Sequence, residues 1–165
     1  MRNAIRSLGA SGIVLFYPGR LLASQIYDWA DGHGGCRAWG SFERSLPGIR
    51  RTARRAELAV IDATCDPAQG ADAFLQAISV LTSDSVAVYT ERTHEELELM
   101  VRTFGAPLLL GPMSMDEWED FLEHKFPTLI PLGEGGFAAR REKNTLPNIG
   151  IHAATKVVHY RPNAG

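Results

Sequence analysis

A single carboxylate, Asp62, ends the apolar run Leu58-Ala-Val-Ile61, and a loop with Thr64, Cys65, Asp66 and Pro67 follows it. An acid at the end of a buried strand faces the sheet edge where open α/β folds place their ligands. What chemistry it does depends on its neighbours. Asp66 offers a second carboxylate four residues on, but no histidine lies nearby, and solvation of an ordinary loop explains the pair without a metal. Cys65 has no adjacent histidine to activate it as a nucleophile and reads as a structural thiol. Thr90 ends a second apolar run, Ser85 to Thr90; alone, a threonine there caps the loop to the next helix. The histidines, His33, His94, His124, His152 and His159, show no zinc spacing. Arg50, Arg51, Arg54 and Arg55 could meet phosphate, but such a cluster is usually the solvated face of a helix, and the net charge of −2 argues against nucleic acid. Gly133-Glu-Gly-Gly136 lacks the Lys-Ser/Thr of a phosphate loop.

The elements that must position these residues alternate along the chain. Apolar runs at Ile13–Tyr17, Leu58–Ile61, Ser85–Thr90 and Pro107–Pro112 read as strands, and Cys36–Phe42 as an edge strand. Between them, helical spacing is expected from Arg20 to Gly32, from Glu43 to Arg55, from Gly70 to Leu81, and from a capping box at Thr93 and Glu96 to Gly105. A last helix starts at Ser114, with Glu117 three residues on. Five alternations predict an α/β domain in three layers, a parallel sheet covered by helices on both faces.

At 165 residues and 45% hydrophobic content the chain has enough apolar material for one real core. Its two cysteines, Cys36 and Cys65, read as reduced thiols of a cytoplasmic protein. No apolar run reaches the roughly 20 residues of a membrane span, and Ile13–Tyr17 is too short for a signal peptide. From Pro127 onward prolines and glycines break any long element, and only Ile149–Tyr160 looks strand-like. The expected division is an N-terminal segment 1–10, a domain 11–126 and a C-terminal extension 127–165.

With Asp62 after the third strand, Thr90 at the end of the fourth and Gly111-Pro112 after the fifth, the stretch Ser11–Phe126 resembles the receiver domain of two-component response regulators. The resemblance implies a flavodoxin-like fold with five parallel strands in the order 2-1-3-4-5. It puts Asp62 in the phosphoacceptor position, Thr90 in the switch position, Pro112 on a proline preceded by a cis peptide bond, and Tyr17, Gly111 and Pro112 around the pocket edge.

Two departures accompany it. Receivers end their first strand with an acidic pair that holds Mg²⁺, and here that stretch reads Phe16-Tyr-Pro-Gly19. The lysine before the proline is Gly111. Phosphoryl transfer needs a metal and a cation to neutralise the moving group, and nothing in the sequence secures Arg20 or Arg92 as a substitute. The expectation is therefore a pseudo-receiver without metal or other cofactor, a non-catalytic module in which Asp62 no longer accepts phosphate. Its partners are expected to be proteins, such as a signalling kinase, an output protein or a second copy of itself. The resemblance places the contact surface along Thr93–Phe126, with Met113, Met115 and Trp118 as candidate contact residues. A phosphorylatable regulator using Asp62, and a small flavodoxin-like enzyme or ligand-binding protein, are the alternatives.

Overall fold

The computed structural model describes residues 11–129 and 131. In chain order they form β1 (Ser11–Phe16), α1 (Arg20–Asp31), β2 (Cys36–Ser41), α2 (Leu46–Arg54), β3 (Leu58–Asp62) and α3 (Pro67–Ile78). A short 3₁₀ turn, Ser83–Ser85, leads into β4 (Val86–Thr90), α4 (Glu95–Thr103), β5 (Leu108–Leu110) and α5 (Met115–Lys125). The five strands form one sheet in the order β2-β1-β3-β4-β5, and every pairing is parallel. This is the flavodoxin-like arrangement expected of the chain.

Alternation along the central strands divides the core in two. Val14, Phe16, Ala59, Ile61, Val86 and Val88 face α2, α3 and α4, where Ile49, Phe74 and Leu97 meet them. Ile13, Leu15, Leu58, Val60, Ala87 and Tyr89 face α1 and α5, against Ile26, Trp29 and Trp118. β3 and β4 are buried at every position, which is why they read as unbroken apolar runs and not as alternating ones. Each fully buried Val, Leu, Ile or Phe contributes about 1.5–3 kcal/mol by leaving water.

Several helix starts differ from the sequence reading, and side-chain caps explain each. α2 begins at Leu46, not Glu43, because the Ser45 hydroxyl accepts from Gly48 N and Pro47 occupies the first turn. Glu43 lies outside the helix, and its carboxylate accepts from the Arg44 and Ser45 amides. α3 starts at Pro67, not Gly70, because Asp66 accepts from Gln69 N at 3.0 Å. α4 is capped by the His94 ring, which accepts from Leu97 N at 3.4 Å, and not by Thr93. The capping box of Ser114 and Glu117 on α5 forms as expected.

β5 is shorter than the run Pro107–Pro112; its ladder stops before Pro112, which has no N–H to donate. Past α5, Pro131 makes an antiparallel bridge to His33, which lies between α1 and β2. The segment 1–10 and the strand expected at 149–160 lie outside the described residues. Among the described residues no helix is long and apolar enough to cross a membrane.

Candidate functional site

The parallel sheet brings the ends of β1, β3, β4 and β5 to one edge, so the topology gathers Tyr17, Asp62, Thr90 and Gly111 there. Asp62 and Tyr89 are register partners across β3 and β4, and Thr90 pairs with Leu110 across β4 and β5.

Asp62 is 7% exposed, and backbone amides hold both its oxygens. Gly19 N donates to Oδ2 at 2.9 Å, and Thr64 N donates to Oδ1 at 3.0 Å. Gly19 is the N-cap of α1, a helix with no side-chain cap of its own and no acid in its first turn. Asp62 thus supplies from another strand the negative charge that helix N-termini attract. Thr64 extends the arrangement, because its hydroxyl accepts from Glu91 N at 3.1 Å and ties the loop after β3 to the loop after β4.

Thr90 is 1% exposed, and its hydroxyl is engaged within its own loop. It donates to Arg92 O at 2.9 Å and accepts from Arg92 N at 3.2 Å. This is the loop-capping geometry that a threonine at a strand end adopts on its own account.

Tyr17 turns the chain out of β1 with its backbone in the left-handed region, φ 55, a conformation that costs energy for a residue with a β-carbon. Tyr17 N donates to Ser41 O at 3.0 Å and its hydroxyl to Glu43 O at 2.5 Å, which ties the turn to the end of β2. Burial, and then the Glu43 carboxylate, raise its pKa above the usual tyrosine value.

Gly111 and Pro112 are joined by a cis peptide bond, as the resemblance implied. Gly111 N donates to Thr90 O at 2.9 Å. A β-carbon on Gly111 would collide with Oη, Cζ and Cε2 of Tyr89. Tyr89 is 1% exposed, and its phenol lies between the Glu91 carboxylate and the Met113 amide. Burial first, then the charges of Glu91 and Asp62, push its pKa far above the ordinary range. Sequence reasoning passed over Tyr89 and Glu91. The available signal was a glycine next to a strand that carries a large aromatic one residue before its end.

The remaining candidates disperse. Asp66 caps α3, and among the described residues no group of three His, Cys, Asp or Glu side chains could hold a metal ion. Arg20 and Arg92 are exposed. Trp118 and Met113 were expected as contact residues, but they are 0% and 2% exposed. Trp118 turns inward because its indole N–H bonds Gln25 Oε1 at 3.0 Å while its ring packs on Tyr89 and Phe121. Met115 is half-buried against the same cluster. The exposed apolar side chains of the Thr93–Phe126 stretch are Leu99 and Phe104, 68% and 47% exposed.

The two cysteines differ sharply. Cys65 is exposed and Cys36 partly buried; burial, helped by Glu57, raises the Cys36 thiol to about 11. Since the thiolate is the reactive form, a disulfide-exchange reagent at pH 8 is expected to titrate one thiol quickly. The second should follow only on unfolding, or as pH approaches 11. Two thiols reacting at equal rates in the folded protein would contradict this placement.

No protein-family model matches the chain, and no curated protein matches it. Solved structures do share its fold. One is the signal receiver domain of a modulated diguanylate cyclase from Desulfovibrio desulfuricans G20, described as an example of alternate folding; it is 18% identical, with a TM-score of 0.55 over 72% of this chain and 94% of that one. Another is a protein named as pilus assembly-related from Burkholderia pseudomallei K96243; it is 16% identical, with a TM-score of 0.53 over 71% of this chain and 90% of that one. By fold, the chain is receiver-like.

Proposed function

We propose that this chain is a non-catalytic signalling module, a receiver-like scaffold that works through contact with other proteins and does not accept phosphate on Asp62. One observation carries the reading: both Asp62 oxygens are occupied by backbone amides, Gly19 N on one and Thr64 N on the other. Mg²⁺ at a phosphoryl-transfer site binds through one or two carboxylates, substrate phosphate and several waters in a strict octahedron. The loop that would bring further acids is Tyr17-Pro-Gly19, and it brings an N–H donor to the carboxylate instead. That N–H takes part of the acceptor capacity of the one carboxylate present, and its positive end faces the oxygens where a cation would have to sit. A single carboxylate with an amide on each oxygen does not fit the ion.

The cation that would neutralise a transferring phosphoryl group also has no seat, because the Tyr89 ring fills the space where a side chain on residue 111 would begin. With no electrophile on either side, the barrier loses the charge stabilisation that usually dominates such reactions. For the contact role, Leu99 and Phe104 on and just after α4 are the exposed apolar side chains that a protein partner, or a second copy, would cover.

The test is chemical phosphorylation. Incubation with acetyl phosphate and millimolar Mg²⁺, followed by intact-mass spectrometry, is expected to leave the mass unchanged. A hydroxylamine-labile phosphate adduct that disappears in Asp62→Asn would establish the chain as a phosphorylatable regulator instead.

A further inference from the structure

A second cluster lies at the opposite end of the sheet from Asp62, where β1 and β2 begin. Gly12 pairs with Arg37 across the two strands, and the Trp39 indole lies over Gly12. A β-carbon at residue 12 would stand 3.0 Å from Trp39 Cη2 and Cζ3 and 3.4 Å from Arg55 O. Glycine at that position lets the ring rest on the β1 backbone and holds it in place. Arg37 Cζ is 6.0 Å from the centre of the indole. Gly12, Arg37, Trp39 and Arg55 together line a cleft of about 460 Å³, within the range of about 300–1,000 Å³ typical of small-molecule sites.

Both arginines are exposed, and neither guanidinium pairs with a carboxylate among the described residues. Glu57, the acid nearest Arg55 in sequence, lines a different cleft with Lys125. The chain's first ten residues contain Arg2 and Arg6 and no acid, so they bring no counter-charge.

We propose that this cleft binds a phosphate-bearing aromatic molecule, a mononucleotide: Arg37 turns from over the indole to the phosphate, which it holds with Arg55, and the base takes its place on the Trp39 face. Two guanidiniums match a phosphate dianion through paired N–H donors. An indole half-covered by its own backbone offers a rigid stacking surface that tolerates any base. The other arginines of the cluster, Arg50, Arg51 and Arg54, take no part, and Arg50 already bonds Gln76. The site is independent of the reading of Asp62.

The experiment uses the full chain, with AMP, adenosine and inorganic phosphate titrated separately. The readout is the Trp39 indole N–H signal, since Trp29 and Trp118 are 0% exposed. AMP is expected to shift that signal saturably, with an affinity at least about tenfold above adenosine or phosphate alone. Arg37→Glu and Arg55→Glu should each abolish the shift while the circular dichroism spectrum stays unchanged. An unmoved Trp39 signal at millimolar AMP, or phosphate binding as tightly as AMP, would overturn the proposal.

Discussion

Replacing Trp118 with alanine is expected to destabilise the fold by about 3–5 kcal/mol, the range for deleting a large buried aromatic. Trp118 is 0% exposed and joins two elements at once. Its ring lies 5.7 Å from that of Tyr89 on β4 and 6.1 Å from that of Phe121 on α5. Its indole N–H reaches Gln25 on α1 at 3.0 Å, and Gln25 passes the link on to Met113 O at 2.7 Å. Alanine would leave a cavity between α5 and the sheet and take the donor from Gln25 Oε1, and the two costs add. Trp118→Phe keeps most of the ring and should lose less. Chemical denaturation of both variants checks this. Had Trp118 been a docking residue, the alanine variant would keep its stability and lose only a partner.

The second large effect concerns the glycine where receivers carry lysine. Gly111→Lys is expected to destabilise the protein by about 3 kcal/mol, at the upper end of overpacking costs, and to confer no phosphorylation. The clash begins at the first side-chain atom, which would fall on the Tyr89 phenol. Tyr89 cannot step aside, because it is 1% exposed and packed on Trp118. Gly111→Ala should therefore show most of the same loss, although it adds no charge. A neutral alanine variant in a thermal or denaturant melt would show that Tyr89 yields, and that the lysine is missing for some reason other than space.

These two cases show where the sequence was legible and where it was not. β1, β3 and β4 are covered on both faces, so burial alone demands apolar residues without alternation, and Ile13–Phe16, Leu58–Ile61 and Val86–Tyr89 announce themselves. The parallel sheet and the place of Asp62 at its carboxyl edge followed from that rhythm, whereas the strand order was implied by the resemblance to receivers. Helix starts were harder, because they turn on which of several neighbouring polar side chains reaches a backbone amide. Around α4, Thr93 and His94 both stand where a cap could form, and the structure uses His94.

The inner surroundings of Asp62 were not legible, since its hydrogen-bond donors are main-chain groups of residues 43 positions earlier and 2 positions later. Main-chain donors leave no mark on residue identity. The Tyr89–Gly111 contact likewise exists only once β4 and β5 are neighbours. Trp118, on an amphipathic helix near its start, reads equally well as core or contact until the helix is docked.

Whether main-chain amides or a metal satisfy Asp62 can be read from a Mg²⁺ titration followed through the amide signals of Gly19 and Thr64. Both signals are expected to stay in place up to millimolar Mg²⁺, with and without beryllofluoride. Saturable movement of the two amides together with Thr90 would mean that the carboxylate releases its donors to take up the ion, and would contradict that expectation.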